Sequence, residues 1–222
     1  MCTVSWLHRP RGYDLFCNRD EKRTRAVAAP PRVSEAGGVR WIAPSDPDGS
    51  GTWIAVNDDG LAVCLLNGRA GTFGVRSRGL LIPDLIWARC VDDAAFLLGR
   101  TDLSVYAPFT LLLIEPDAPP QVANWDGACL AWQPEPLSPI TSSSVDADRA
   151  RGERLREFAR FDVSTPAALR RFHASHGAAP GPFSTCMHRD DAETVSFSWI
   201  SVTRNEVRFE YIPGAPCRAL AA

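Results

Sequence analysis

The sequence predicts an α+β fold in which two stacked β-sheets carry helices on their outer faces. Three observations lead there. Short runs rich in Val, Ile, Leu and aromatic residues recur with turn signals between them. Two stretches switch to helical periodicity. The order along the chain is strands, a helix pair, strands, a second helix pair and closing strands, as expected when helices cover the outside of two sheets. A plain α+β arrangement gives nearly the same string. At 222 residues and 45% hydrophobic content, the chain can bury a large core and fits one domain over residues 1–222 better than two.

Three hairpin signals organise the strands. Residues 52–56 meet 61–66 across Asn57-Asp58-Asp59-Gly60, 121–125 meet 128–132 across Asp126-Gly127, and 194–202 meet 206–211 across Thr203-Arg204-Asn205. With 2–6, 13–18 and 110–115 the count is about nine strands, enough for two sheets. In the first helix pair, Pro83-Asp84 opens a turn into 85–89, continued by 91–99. In the second, Asp146 or Asp148 caps a helix running to about Arg160, with Leu155, Phe158 and Ala159 on one face. Ser164-Thr165-Pro166 then starts another, with Pro at the first helical position and Leu169, Phe172 and His173 as its stripe. Residues 37–38, 45–51 and 178–182 read as loops, and 116–120 and 134–139 as proline-rich connectors. None has the composition of a domain linker, and there is no internal repeat.

A formal net charge of −2 offers no electrostatic attraction to nucleic acid or to an anionic membrane surface. The seven cysteines, at 2, 17, 64, 90, 129, 186 and 217, make no C-x-x-C pair and no zinc spacing. They read as mostly buried free thiols in a reducing compartment. Near the start, Trp6-Leu7 is broken at once by His8-Arg9-Pro10-Arg11, too early for a signal sequence, and the longest later aliphatic run, 111–114, is far too short to span a bilayer. The expectation is a cytoplasmic protein without metal or cofactor.

The chemistry concentrates at the beginning of the chain. In Met1-Cys2, removal of Met1 leaves Cys2 carrying both a thiol and a free α-amino group, a nucleophile and its own base in one residue. A thiol with a pKa of about 8.5 is mostly protonated at neutral pH, whereas an α-amine with a pKa of about 7.7–8.0 is partly free to accept the proton. One strand later comes Asn18-Arg19-Asp20-Glu21. Asp20 can hold the amine, and Arg19 can favour the thiolate. Taken alone, a small residue at position two also serves methionine removal, and such a charged run is ordinarily a solvated loop.

Met1-Cys2-Thr3-Val4, Asn18-Arg19-Asp20-Glu21, and Gly51-Thr52-Trp53-Ile54-Ala55-Val56 leading through Asp59-Gly60 to Leu66-Asn67 together resemble the NRDE family, which includes the transport and Golgi organisation proteins. Cys186-Met187-His188-Arg189 followed by Thr194-Val195-Ser196 is a looser later landmark. That family is similar, more distantly, to N-terminal-nucleophile hydrolases such as choloylglycine hydrolase and penicillin V acylase. The resemblance implies a four-layer αββα sandwich and cleavage of a linear carbon–nitrogen bond. It implies Cys2 as nucleophile, Asp20 steadying its amine, Asn67 offering an amide to the oxyanion, and Asn18, Arg19, Glu21 and Trp53 shaping the site. The chain departs from the hydrolases at Cys17, where they have arginine, in the serines of 140–144, where they have an asparagine, and at Glu193, near a late arginine of theirs. Alternation along a strand places Asn18 and Asp20 on one face and Arg19 and Glu21 on the other, so that Arg19 misses the thiol. The implied partner is a small amide or, on a scaffold without turnover, heme or a lipid.

Two further groupings stand out. His173 and His176, three apart on a helix, could face one metal, although Gly177 behind them marks a helix end at the surface. Cys186-Met187-His188 lines up three heme-iron ligand types, but neighbours on a strand point to opposite faces and cannot share one iron. No G-x-S-x-G, phosphate-binding glycine loop or H-E-x-x-H occurs.

Overall fold

The computed structural model describes residues 2–68, 74–133 and 135–219. Its larger sheet has seven antiparallel strands in sequential order: β3 (Ala29–Ala36), β4 (Val39–Ser45), β5 (Ile54–Asn57), β6 (Ala62–Asn67), β7 (Phe109–Ile114), β8 (Gln121–Trp125) and β9 (Leu130–Gln133). The smaller sheet has five. Its order is β10 (Ile140–Ser142), β1 (Cys2–Arg9), β2 (Gly12–Lys22), β11 (Ala192–Thr203) and β12 (Glu206–Pro213). Helices α1 (Leu81–Leu85) and α2 (Val91–Arg100) follow β6, α3 (Ala147–Phe158) and α4 (Pro166–Ala174) follow β10, and α5 (Pro216–Ala219) comes last.

The period of two along a strand explains the layering. In β6, Ala62, Cys64 and Leu66 face the smaller sheet and meet Val4, Leu15, Cys17 and Ile200, while Val63 and Leu65 face the other way, under Leu81, Ile82 and Leu85 of α1 and Ala94 and Leu98 of α2. Across the molecule, Phe16 and Phe197 on the outer face of the smaller sheet pack on Leu169 of α4. The result is an αββα sandwich. The central strands β5, β6 and β7 are buried on both faces, and each fully buried Leu or Ile there contributes about 1.5–3 kcal/mol. Tyr13 joins the sheets: its buried hydroxyl donates to Gly60 O at 2.9 Å, in the β5–β6 turn.

All three expected hairpins form, as β5–β6, β8–β9 and β11–β12. α4 also starts as read from its residues, with Thr165 Oγ1 accepting from Ala168 N–H, Pro166 at its first position, and Ala168, Leu169, Phe172 and His173 buried.

Other elements differ from expectation. β3, β4 and β10 are additional strands. Pro30-Pro31 disguises β3, but as an edge strand it tolerates missing N–H donors, and the register slips between Ala29 and Arg32. Gly37 and Gly38, at φ +59° and +77°, close the turn between β3 and β4. α1 begins at Leu81, ahead of the expected 85–89, and Pro83 fits its first turn, where the N–H has no helical partner. In α3 the cap is Asp146, whose side chain accepts from Arg149 N–H at 3.1 Å. Of the expected apolar face only Phe158 packs inward, edge-on against Phe172; Leu155 is 39% exposed, Ala159 is exposed, and the fully buried residues of α3 are Ala150 and Arg154. Among the described residues no helix is long and apolar enough to cross a membrane.

Candidate active site

Cys2 is the first residue of β1, directly opposite Arg19 of β2, and Val4 is opposite Cys17. Residues facing each other across an antiparallel pair share a face. Cys2, Cys17 and Arg19 therefore all point between the sheets, while Asn18, opposite Thr3, points to the helical layer. The expectation that Arg19 misses the thiol side is corrected by this register.

A cavity of about 120 Å³ opens at the end of the inter-sheet layer, lined among others by Cys2, Arg19, Asp20, Glu21, Trp53 and Asn67. These are six of the seven residues expected there. Asn18 is not among them. It is fully buried, and its amide donates to His173 O at 2.8 Å and Thr185 O at 2.9 Å, tying β2 to the end of α4. Two close backbone approaches build the far wall: Thr52 N–H donates to Gly79 O at 3.0 Å, and a Cβ on Gly51 would lie 2.3 Å from Gly79 C.

Arg19 is committed elsewhere than the thiol. Its guanidinium donates to Asp46 at 2.9 Å, stands 3.7 Å from Glu21 and lies over the Trp53 ring at 4.3 Å. Asp46 also takes Arg25 at 2.6 Å. The expected thiolate-favouring role for Arg19 is not what surrounds Cys2. Its thiol is pushed well above the ordinary range, first by the adjoining Cys17 thiol and then by burial, with the positive chain terminus acting in the opposite sense. Met1 itself lies outside the described residues.

Four more residues complete the site, of which the sequence marks only Ser142, among the serines that stand where the hydrolases have an asparagine. Ser142 of β10 accepts at Oγ from the Cys2 N–H at 3.1 Å. Arg78 lines the cavity and donates to Pro108 O at 2.8 Å, and burial lowers its pKa against the opposing pull of Cys2 and Glu21. Asp46 anchors Arg19 and Arg25. Arg154 is fully buried and donates to Thr3 Oγ1 (2.9 Å), Thr141 Oγ1 (2.7 Å), Ser142 O (3.4 Å), Ser184 O (3.2 Å) and Asp20 Oδ2 (3.3 Å). Thr194 Oγ1 donates to the other Asp20 oxygen at 2.6 Å. The only trace of Arg154 in the sequence is its place four residues after Ala150, on one helix face.

Of the two histidines expected on one helix only His173 is in α4; His176 lies two residues past its end, and the two side chains separate. His173 turns into the smaller sheet, with Nε2 2.8 Å from Ser5 Oγ, and burial, helped by Arg154, brings its pKa down to about 3. His176 turns instead to His188, 3.1 Å away. In Cys186-Met187-His188 the thiol and imidazole come within 3.6 Å, while Met187 is fully buried.

Residues 1–131 match the model of the family described as Transport and Golgi organisation 2. No curated protein matches the chain in sequence. Among solved structures, the chain is similar to an N-acylethanolamine-hydrolyzing acid amidase ortholog of Caenorhabditis elegans, at a TM-score of 0.62 and 11% identity over 90% of this chain and 92% of that one. A conjugated bile acid hydrolase of Clostridium perfringens, in its C2A mutant form, gives 0.55 and 10% over 96% and 92%. Penicillin V acylase from Agrobacterium tumefaciens gives 0.52 and 10% over 96% and 86%. Such identities speak for the fold alone. The family match covers more than half of the chain, which therefore belongs to the Transport and Golgi organisation 2 family and is built on the sandwich of the N-terminal-nucleophile hydrolases.

Proposed function

We propose that the protein, after loss of Met1, is a cysteine N-terminal-nucleophile hydrolase of a small linear amide. The observation that carries this reading is the convergence of Cys2, Asp20 and Asn67 on one cavity, with the Cys2 nitrogen held on Ser142 Oγ. Removal of Met1 turns that nitrogen into an α-amine without moving it from the thiol. The amine takes the thiol proton as the sulfur–carbon bond forms. Asp20, anchored by Thr194 and Arg154, steadies the resulting ammonium. Asn67 donates its amide to the oxyanion. Collapse expels the amine, which takes the proton from the ammonium, and water assisted by the α-amine then releases the acid from the thioester.

A cavity of about 120 Å³ suits a small acyl group, and Arg19, Glu21, Trp53 and Arg78 give it a polar, charged wall. The hydrolase names of the three fold neighbours support amide chemistry. The seven free cysteines support a reducing, cytoplasmic setting.

The test combines intact mass with substrates. The purified chain is expected to lack Met1, to hydrolyse some members of an N-acyl amide panel, and to show an acyl adduct on Cys2 when quenched early, with activity lost in Cys2→Ala. Retained Met1, or equal hydrolysis by Cys2→Ala, rejects the mechanism. No turnover together with a heme titration that survives Cys2→Ala assigns the scaffold to cargo binding instead.

A further inference from the structure

Beyond the hydrolase reading, and independent of it, three segments distant in sequence bring two imidazoles and two thiols together. His176 follows α4, Cys186 and His188 lie in the stretch leading to β11, and Cys217 is on α5. Their four ligand atoms all lie within 4.8 Å of one another. His188 Nε2 is 3.1 Å from His176 Nε2, 3.6 Å from Cys186 Sγ and 3.5 Å from Cys217 Sγ.

Hydrogen bonding alone does not explain the arrangement. An imidazole Nε2 has either one hydrogen or one lone pair, yet three partners crowd around that of His188. A cation accounts for all of them. With Zn–N about 2.0–2.1 Å and Zn–S about 2.3 Å, tetrahedral angles set ligand–ligand edges of about 3.3 Å for N–N and about 3.6 Å for N–S. The three separations agree within a few tenths of an ångström. Two thiolates balance the charge of a divalent ion, and soft sulfur with imidazole favours zinc over magnesium or calcium.

We propose that His176, Cys186, His188 and Cys217 form a closed, tetrahedral zinc site that staples α5 and the end of α4 to the segment seating Asp20. Four protein ligands leave no open position, so the ion is structural rather than catalytic. Binding converts both thiols to thiolates and releases their two protons to solvent. The stapled segment is the wall behind Asp20: Thr185 O receives Asn18, Ser184 O receives Arg154, and Met187 N–H donates to the Thr194 hydroxyl that in turn donates to Asp20. The ligands come from separate elements, with spacing H-x9-C-x-H-x28-C, which is why no zinc motif shows in the sequence.

The test uses the full chain, stripped with a chelator and titrated with Co²⁺ and then Zn²⁺. One equivalent of Co²⁺ is expected to give a thiolate-to-metal charge-transfer band and the intense visible bands of a tetrahedral site, both bleached by one equivalent of Zn²⁺. The signal should vanish in the Cys186→Ser/Cys217→Ser double variant and remain in Cys129→Ser. Should the double variant not fold, alkylation of the wild type with and without Zn²⁺ reads the same point: protection must map to Cys186 and Cys217. A weak octahedral spectrum, a band that survives in the folded double variant, or protection at other cysteines overturns the assignment.

Discussion

Replacing Arg154 by Met should be among the most damaging single changes outside the apolar core. Arg154 and Asp20 are both 0% exposed, with Nη2 and Oδ2 3.3 Å apart. Removing one partner of a buried ion pair costs about 3–5 kcal/mol, because the other charge stays out of water without its counter-charge. Thr3 Oγ1, Thr141 Oγ1 and Ser184 O lose their guanidinium donor as well. A loss of about 4 kcal/mol is a large share of the 5–15 kcal/mol typical of a domain. The assay is urea unfolding followed by tryptophan fluorescence, with unchanged m-values, on a cycle of wild type, Arg154→Met, Asp20→Asn and the double variant. Because Asp20→Asn removes the stranded charge, the double variant should recover about 2 kcal/mol relative to Arg154→Met. A loss below about 1 kcal/mol for Arg154→Met, or costs additive within about 0.5 kcal/mol, refutes the coupling.

Four further outcomes follow from the geometry. His173 is neutral in the fold with a pKa of about 3 against an ordinary 6.5, so its stabilisation is complete above pH 6.5 and is lost as pH falls toward 3. The slope is about 1.4 kcal/mol per pH unit. Denaturant midpoints across that window should flatten in His173→Leu, and an unchanged slope contradicts the burial argument. Gly51→Ala places a methyl 2.3 Å from backbone that cannot rotate aside, so thermal melting should reveal a loss of at least about 1–3 kcal/mol, and wild-type stability would show that the two backbones do not meet there. Tyr13→Phe removes the buried bond to Gly60 O and leaves that carbonyl short of a donor, a cost of about 1–2 kcal/mol by urea unfolding. In chain that retains Met1, iodoacetamide near neutral pH should modify exposed Cys129 well before Cys2, whose thiol is pushed up. Peptide mapping that finds Cys2 labelled first would contradict that environment.

What was legible in the sequence was local or motif-borne. The Asn57-to-Gly60, Asp126-Gly127 and Thr203-to-Asn205 turns announce three hairpins because turn conformation depends on a few adjacent residues. Ser164-Thr165-Pro166 announces α4 for the same reason, since a cap bonds within its own turn. The resemblance also named Cys2, Asp20 and Asn67, residues that share a cavity although they lie on three different strands. β3 stayed hidden because paired prolines argue against a strand unless it is known to be an edge, and edges are defined only by the assembled sheet.

By itself, then, the sequence determined the two-sheet architecture and the family. Tertiary structure alone decided that Arg19 shares the face of the thiol yet belongs to Asp46, that Cys17 adjoins Cys2, that Arg154 supports Asp20, and that His176, Cys186, His188 and Cys217 converge. The reason is one of range. Hydrophobic period and turn chemistry act over a few residues, whereas the Arg154–Thr3 bond joins positions 151 apart and the Cys2–Ser142 bond positions 140 apart. Whether a charge is buried, paired or left to solvent is a property of such distant neighbours, and it exists only once the layers have closed on one another.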